Sequence, residues 1–228
     1  MMEPMEGAVE IEAAGELLTL LPQRALYWPA RSTLVIADIH FGKAASFRAQ
    51  GIPVPRGTTT ENLEMLTALV AVTGATGVLF LGDFLHARHA HAAATMAALQ
   101  DWRERHSHLA LTLVRGNHDS HAGDPPSRLG ITVVDEPYLV GPFVFAHHPQ
   151  AHPDGYVLAG HVHPVYRLAA RGDALRLPCY LFGAEGGVLP SFGAFTGGHP
   201  VIPAPRDRLF LATPDRVIEL NARGRGHA

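Results

Sequence analysis

The sequence predicts an α/β protein in which two packed β-sheets have helices on the outside. In the first half of the chain, apolar runs flanked by turn residues alternate with longer helical patterns, an order typical of parallel strands joined by right-handed crossovers. In the second half, short apolar runs follow one another with little room for helices, which indicates antiparallel hairpins. The 228 residues suffice for one substantial core, so we expect residues 1–228 to form one domain.

The first half predicts strand, helix, strand, helix and strand in that order. The strands cover residues 33–37, 77–81 and 109–114, and the helices cover residues 58–72 and 92–105. The first helix has leucines at helical spacing, and Thr60 is placed to cap its first turn. Ligands of parallel sheets bind beyond the carboxyl ends of the strands, so the residues that follow these strands are candidates for a functional site.

Six further strands are predicted in the second half, and no repeat or linker marks a domain boundary. They cover residues 131–134, 143–146, 156–159, 175–182, 209–212 and 217–220. The tail, residues 221–228, is predicted to fray.

The composition predicts a folded chain without a strong electrostatic preference for nucleic acid. Hydrophobic residues make up 47% of the chain and charged residues 17%, which is well away from the composition of disordered sequences. The formal net charge of −3 provides no global basic field, so a contact with nucleic acid would need a local patch.

Three features predict a cytoplasmic protein that does not enter membranes. The single cysteine, Cys179, excludes an intramolecular disulfide and suits a reducing compartment. Residues 1–21 are acidic where a secretory signal would be basic. The sequence contains no run of about 18 apolar residues that would span a bilayer.

Five polar blocks, each placed after an apolar run, form one ordered series of metal-ligand residues. They are Asp38-Ile39-His40, Gly82-Asp83, Gly116-Asn117-His118-Asp119, His147 and Gly160-His161-Val162-His163. Mixtures of carboxylate, imidazole and amide donors suit divalent cations that activate water, whereas structural zinc usually takes thiolates. Any single block is a common turn or cap, but five in this order argue against coincidence.

The spacing of these ligands predicts two neighbouring ions. Asp38 and His40 lie two residues apart at a strand end, so both can face one ion, to which His163 returns. Asp83, on the next strand, is placed to bridge that ion to a second one. The remaining donors to the second ion are Asn117, His147 and His161. Two ions about 3.5–4 Å apart lower the pKa of a shared water, whose hydroxide is the expected nucleophile in phosphoryl transfer.

Three residues beside the ligands are candidates for the chemistry itself. His118 cannot easily share the direction of Asn117, so we expect it to reach the substrate and to protonate a leaving alkoxide. Asp119 is expected to orient His118. Arg115 either adds positive charge for a phosphate or is a solvated arginine at a strand end, and both interpretations are open.

The five blocks resemble the pattern of the calcineurin-like metallophosphoesterase superfamily over the whole span from Asp38 to His163. The resemblance implies a four-layer α/β sandwich of two mixed β-sheets flanked by helices, and the same division of ligands between two metals. It also implies manganese as the metal, with zinc, iron or magnesium as alternatives. One block departs from the pattern, because His147-His148-Pro149 stands where the superfamily usually has His-Gly. Either His147 or His148 is therefore the ligand.

Three other segments are similar to the bacterial DNA-ligase-associated metallophosphoesterases, which are described as DNA-damage-response endonucleases. The segments are 38–55, 82–86 and 189–198. This resemblance implies DNA as the substrate and a DNA ligase or helicase as a partner. The Gly/Phe-rich part of the last segment, 192–198, either folds close to the metals or forms tight turns that close the second sheet.

The same segments contain basic residues with a possible role at the substrate. His86 resembles the histidine with which recombination-repair nucleases of this superfamily steady the attacked phosphate, although it would also suit a helix cap. Lys43, Arg48 and Arg56 either line a track for phosphates or belong to the solvated surface.

Three functions compete at this stage. The first is a metal-dependent phosphodiesterase that acts on nucleic acid. The second is a phosphoesterase for small molecules such as nucleotides or dinucleoside polyphosphates, which suits the mildly acidic chain better. The third is a binding scaffold without chemistry, which has no physical need for eight convergent polar residues. The sequence does not predict the oligomeric state.

Overall fold

The computed structural model describes residues 5–49, 51–54, 57–170, 173–193 and 196–220. The strands are β1 (Val9–Ala13), β2 (Glu16–Leu20), β3 (Leu26–Trp28), β4 (Thr33–Ala37), β5 (Gly77–Leu81), β6 (Ala110–Val114), β7 (Ile131–Val134), β8 (Tyr138–Val140), β9 (Phe143–Ala146), β10 (Tyr156–Ala159), β11 (Pro164–Ala170), β12 (Asp173–Phe182), β13 (Gly186–Val188), β14 (His199–Pro200), β15 (Arg208–Ala212) and β16 (Val217–Leu220). The α-helices are α1 (Lys43–Ala49), α2 (Thr58–Thr73), α3 (Ala93–Arg105) and α4 (Asn117–Ala122). The predicted fraying of residues 221–228 and the predicted role of Arg56 lie outside the described residues.

The first sheet contains β1 to β7 in sequence order. Strands β4 to β7 pair in parallel. The alternation of strands and helices predicts this for β4 to β6, but β7 was expected among the antiparallel strands of the second half, and that expectation is wrong. Strands β1 to β4 form an antiparallel meander whose first three strands were not predicted. Helix α2 begins at Thr58 with Gly57 in the left-handed region before it, so Thr60 lies inside the first turn and the prediction that it caps the helix is wrong.

The second sheet has the order β14-β11-β12-β13-β10-β9-β8, and β15 and β16 extend it from β12. An antiparallel hairpin between two predicted strands is confirmed for β15 with β16. Strand β8 also pairs antiparallel with β9, and β11 with β12, but β8 and β11 were not predicted. The prediction is wrong for β9 and β10, which pair in parallel, and β10 also pairs in parallel with β13, which was not predicted. The chain between β9 and β10 runs back along the sheet instead of turning directly, so both strands end at the same edge.

The strands of the first sheet bury both faces, and each face serves a different core. In β4, Leu34 and Ile36 pack toward the helices, together with Leu66 of α2 and Trp102 of α3. Val35 points the opposite way into the core between the two sheets, because successive side chains of a strand alternate in direction. This double burial explains why β4 and β5 are continuous apolar runs. The predicted α/β architecture of two mixed sheets with flanking helices is confirmed.

The described helices are all unsuited to spanning a membrane, since none of them combines enough length with enough apolar character.

The carboxyl ends of the parallel strands of both sheets meet along one edge. The loops that follow β4 and β5 of the first sheet pair with each other at this edge, through a bridge between Phe41 and Leu85. A bridge between Ala37 and Ser191 connects the end of β4 to the segment that follows β13. Polar residues that follow β4, β5, β6, β9 and β10 are therefore brought together between the sheets.

The contact between the first sheet and β12 depends on a buried tyrosine, which provides a test of the packing. The Tyr180 hydroxyl lies 2.7 Å from the Leu21 carbonyl oxygen and 2.9 Å from that of Ala25. We predict that Tyr180→Phe lowers the free energy of unfolding in urea by about 1–3 kcal/mol, because buried carbonyls lose their donor. The control is Tyr156→Phe, whose hydroxyl donates to Gly183 in a half-buried position. An equal loss in both variants would contradict the prediction.

Candidate metal centre

The residues predicted for the first ion lie together at the shared edge, although they come from three distant segments. The Nε2 atom of His40 lies 3.3 Å from Nε2 of His163 and 3.7 Å from Oδ2 of Asp83. The same nitrogen of His163 lies 3.5 Å from Oδ1 of Asp38. Asp38, His40 and Asp83 are all buried. These four side chains offer two carboxylates and two imidazoles to one point.

The residues predicted for the second ion form an adjoining group around His147. Its Nε2 lies 2.8 Å from Oδ1 of Asn117, 3.0 Å from Nδ1 of His161 and 3.4 Å from Oδ1 of Asp83. Asp83 thus turns Oδ1 toward the second group and Oδ2 toward His40 in the first. A carboxylate in this position can serve both groups at once.

The hydrogen bonds around the second group leave lone pairs that face each other. Nδ1 of His147 lies 3.1 Å from the Leu81 carbonyl oxygen, so this nitrogen carries the hydrogen and Nε2 carries the lone pair. That lone pair faces the Asn117 amide oxygen, which is also an acceptor. Two acceptors at 2.8 Å repel each other unless a cation lies against both.

The first group also contains a buried acceptor that no described donor satisfies. Nδ1 of His163 lies 3.0 Å from the Gly197 carbonyl oxygen, which leaves Nε2 to face Asp38 and His40. Oδ1 of Asp38 is buried and has no hydrogen-bond partner among the described residues. Burial, with Lys43 and His163 nearby, holds the pKa of His40 far below its usual range, so its ring is neutral. The residues present therefore fit two divalent cations.

Backbone conformation sets the donors in place at some cost in strain. The positive-φ residues other than glycine include five of the predicted ligands, with φ between 48° and 65°. These five are Asp38, His40, Asp83, His161 and His163. L-residues rarely adopt this left-handed region, and such strain is concentrated at functional sites. The sharp turn at each strand end directs alternate residues of the Asp-x-His and His-x-His blocks toward one point.

Two glycines of the motifs are required by the close approach of ligand side chains. Gly82 has a φ of 76°, and a Cβ there would lie 2.6 Å from Cγ of His147. A Cβ at Gly160 would lie 2.6 Å from Oδ2 of Asp38. Both distances are shorter than a van der Waals contact, so only glycine leaves room for the ligand beside it.

The choice between His147 and His148 follows from their surroundings. His147 is buried among Asp83, Asn117 and His161. His148 is half-exposed, and its Nδ1 lies 2.6 Å from Oε1 of Glu136. His147 therefore lies among the other predicted donors, and His148 lies beside it at the rim of the group.

The structure shows that Asp119 does not orient His118, so this prediction is wrong. Nδ1 of His118 lies 2.7 Å from the carbonyl oxygen of His86. Asp119 is buried and accepts the N–H groups of Leu85 at 2.9 Å and Gly116 at 3.0 Å. Burial raises the pKa of Asp119, although these backbone donors oppose the change. At the third position of α4, its carboxylate accepts the N–H of Gly116, the residue that caps this helix.

His86 lies beside the first group of ligands. Its ring stacks on His118 at a centroid distance of 4.9 Å and meets His40 edge-on at 5.3 Å. Its Nδ1 is buried and has no hydrogen-bond partner among the described residues, so it does not cap a helix through that atom. Burial, with Lys43 and His118 nearby, lowers the pKa of His86 to about 4, so the ring is neutral at neutral pH.

The basic residues predicted to contact substrate have different surroundings. Arg115 forms ion pairs with Asp124, at 2.9 Å, and with Asp135, so two carboxylates offset its charge, and its role at a phosphate stays a prediction. Lys43 begins α1 within electrostatic range of Asp38 and Asp83; burial lowers the pKa of Lys43, and these carboxylates oppose the change. Arg48 is exposed in the last turn of α1.

The segment that contains residues 192–198 lies against the metal centre, which settles the two alternatives for its described part. Ser191 Oγ donates to the Asp38 carbonyl oxygen at 2.8 Å, and Phe192 donates its N–H to Ala37. Gly197 accepts the Nδ1 hydrogen of His163. Ser191 and Gly197 lie in the segment 189–198 that the sequence singled out, although neither was given a role. Glu136 was not identified from the sequence, because it is a single residue outside the ligand blocks and no motif marks it.

The chain belongs to the calcineurin-like phosphoesterase family, whose sequence profile matches residues 31–167. This range contains the whole predicted ligand series, and the chain is a metal-dependent phosphoesterase. Among solved structures, it is similar to the nuclease MPE of Pseudomonas putida, with 48% sequence identity and a TM-score of 0.82. That alignment covers 90% of this chain and 96% of the nuclease. The resemblance predicted from the motifs is confirmed.

Two other solved structures are more distant. The phosphoesterase YfcE from E. coli is 15% identical, with a TM-score of 0.40. A Vps29 double mutant from Entamoeba histolytica is also 15% identical, with a TM-score of 0.31. Each alignment covers 86% of this chain and 96% of the other. Among curated proteins, none matches this chain significantly.

The close approach at Gly82 provides a test of the metal centre. We predict that Gly82→Ala lowers manganese affinity about 10–100-fold, because the added methyl group displaces the His147 ring. Bound metal per chain, measured after equilibrium dialysis, reports the change. The matched control is Gly74→Ala, which shares the left-handed conformation but has no neighbouring atom within 4 Å of the added carbon. Its cost is backbone strain of about 1–2 kcal/mol, and equal metal loss in both variants would contradict the prediction.

Proposed function

We propose that the chain is a dinuclear-metal-dependent phosphodiesterase that cleaves DNA. The observation that carries this proposal is the convergence of seven oxygen and nitrogen donors from both sheets on the two sides of Asp83. The similarity to a nuclease at 48% identity supports a nucleic acid as the substrate. Partnership with a DNA ligase or helicase in repair, and a cytoplasmic location, stay predictions from the sequence.

Each ion would have four protein ligands, with Asp83 shared between them. Asp38, His40 and His163 would complete the first ion, in which two imidazoles balance two carboxylates. The other ligands of the second ion would be Asn117, His147 and His161. Two cations held by these residues would supply Lewis acidity, which would activate water for attack and offset charge on the phosphate oxygens. This mixture of hard and borderline donors suits manganese, and it also accommodates zinc, iron or magnesium.

His118 is placed to deliver a proton to the leaving group. The His86 carbonyl oxygen holds its Nδ1, so Nε2 is the atom presented to the substrate. The side chain is 38% exposed and is therefore within reach of a substrate. The backbone N–H of His118 donates to Oδ1 of Asp83 at 2.9 Å. This hydrogen bond fixes the position of the proton donor relative to the predicted ligands.

His86 and Lys43 would hold the phosphate on the side of the first ion. The stacked rings of His86 and His118 present their nitrogens on one wall of the site. Lys43 adds a positive charge close enough to shift the pKa of His40 and His86. A phosphate there would meet a cationic side chain and polar rings, and these contacts do not depend on base identity.

A phosphoesterase for nucleotides or dinucleoside polyphosphates is the second candidate. The net charge of −3 and the neutralised Arg115 favour it, because a long nucleic acid gains most from an extended basic surface. A scaffold without chemistry is the weakest candidate, since it has no use for facing lone pairs in a buried cluster.

Substrate choice is the direct test of this proposal. We predict that purified protein loaded with manganese cleaves single-stranded DNA and bis-p-nitrophenyl phosphate, and that EDTA abolishes both activities, because the ions supply the nucleophile. Product release is measured on gels for DNA and by absorbance for the small ester. Hydrolysis of monoesters or nucleotides without any DNA cleavage would favour the second candidate, and no turnover with any divalent metal would favour the scaffold.

The proton donor is tested separately from the metals. We predict that His118→Ala lowers kcat about 100-fold to 10,000-fold, the usual contribution of general acid catalysis, while manganese content stays at two ions per chain. His108→Ala is the control, because this exposed histidine lies after α3, away from the ligands. Loss of a metal ion in His118→Ala would reassign the residue as a ligand.

A further inference from the structure

His148 occupies a position for which the superfamily pattern has glycine, and its ring lies against the second group of ligands. Its ring centroid is 4.8 Å from that of His147 and 4.4 Å from that of His161. Side-chain nitrogens of these three histidines lie within 4.8 Å of one another. The side chain is 44% exposed, so it is accessible from solvent at the rim of the site.

One carboxylate holds this histidine and the turn that carries it. Oε2 of Glu136 accepts the N–H of His147 at 2.7 Å and that of His148 at 3.0 Å. Oε1 of the same carboxylate lies 2.6 Å from Nδ1 of His148, a short distance that indicates a charge-assisted hydrogen bond. Glu136 lies in the loop between β7 and β8, which is remote in sequence from both ligand blocks. The ring of His148 is therefore fixed in orientation although it is half-exposed.

These contacts argue against His148 as a metal ligand. Its Nδ1 is engaged by Glu136. The second group already has four donors without it, namely Asp83, Asn117, His147 and His161. An imidazole that is held through Nδ1 by Glu136, is 44% exposed and lies against the second group of ligands is instead suited to donate a hydrogen bond from its other nitrogen to a phosphate oxygen.

We propose that His148 binds a phosphate oxygen of the substrate beside the second ion, and that Glu136 is the positioning residue that orients it. The inference rests on the proposed function, because the substrate is taken to carry a phosphodiester. It places a contact on the side of the site opposite His86 and His118. The phosphate would then be held by His86 and Lys43 near the first ion and by His148 near the second.

The test uses His148→Ala, Glu136→Gln and the double variant, each as full-length protein loaded with manganese. Glutamine keeps an oxygen for the backbone N–H groups but cannot hold Nδ1 of His148 as a carboxylate does. Inorganic phosphate is the binding probe, measured by calorimetry, and bis-p-nitrophenyl phosphate is the substrate. His152→Ala is the matched control, since this histidine of the same loop pairs with Asp154 at 3.7 Å and lies outside the ligand cluster.

We expect His148→Ala to weaken phosphate binding about 10-fold, which corresponds to about 1.4 kcal/mol, and to raise KM more than it lowers kcat. Manganese content should stay at two ions per chain. Glu136→Gln should give a similar loss, and the double variant should be no weaker than His148→Ala alone, because both changes remove the same contact. His152→Ala should bind phosphate like the unmodified protein.

Three results would overturn the inference. Unchanged phosphate affinity and KM in His148→Ala would remove its contact with substrate. Loss of a manganese ion would make His148 a ligand. Additive losses in the double variant would show that Glu136 acts independently of His148. The proposed function and this inference can fail separately. Unmodified protein that cleaves no DNA, but whose phosphate affinity falls in His148→Ala, would contradict only the proposed function. Active protein whose phosphate affinity is the same in His148→Ala would contradict only the inference.

Discussion

Asp83 turns one carboxylate oxygen toward each of two groups of imidazoles, and this arrangement constrains much of the surrounding fold. Acceptors that face each other at about 3 Å are unfavourable in a buried site without cations. Only a rigid surrounding structure keeps them together, and here it consists of parallel strands whose side chains pack into two separate cores. Five neighbouring strand termini supply one converging set of donors, with left-handed turns at the ends of β4, β5 and β10, and glycines leave the space that the rings require.

The residues around the donors fall into two roles that the local contacts separate. The loops are held by Asp119 and Ser191, which bond to backbone groups. The imidazole tautomers are set by the carbonyl groups of Leu81 and Gly197, so the nitrogens that face the metal sites keep their lone pairs. His86 and His118 form a stacked pair on one side of the site, and His148 with Glu136 lies on the other. Neutralisation of Arg115 by two aspartates leaves Lys43 as a positive charge beside the ligands, which restricts attraction for phosphate to the immediate surroundings of the ions.

The sequence predicted the ligand-bearing strands well, because each is a continuous apolar run followed directly by polar residues. It missed the first three strands, where short runs such as 9–13 and 16–20 alternate with glutamates and resemble a polar terminus. Parallel pairing of β9, β10 and β13 was also missed, since strand direction in this half depends on contacts far apart in the chain. Asp119 was assigned by its proximity to His118 in sequence, whereas the adjacent helix terminus offers it stronger partners. Glu136 could not be found at all, because its importance arises only from where β7 and β8 place it.

The ligands are contributed by both sheets, with β4, β5 and β6 on one side and β9 and β10 on the other. Divalent ions bound between the two sheets would stabilise the folded chain relative to the unfolded chain. The gain in the free energy of unfolding grows with the ratio of the free ion concentration to the dissociation constant. The supply of divalent ions in the surroundings therefore governs how long the folded molecule persists as well as how fast it turns over. Starvation for the ion would deplete such a protein through degradation as well as through inactivity.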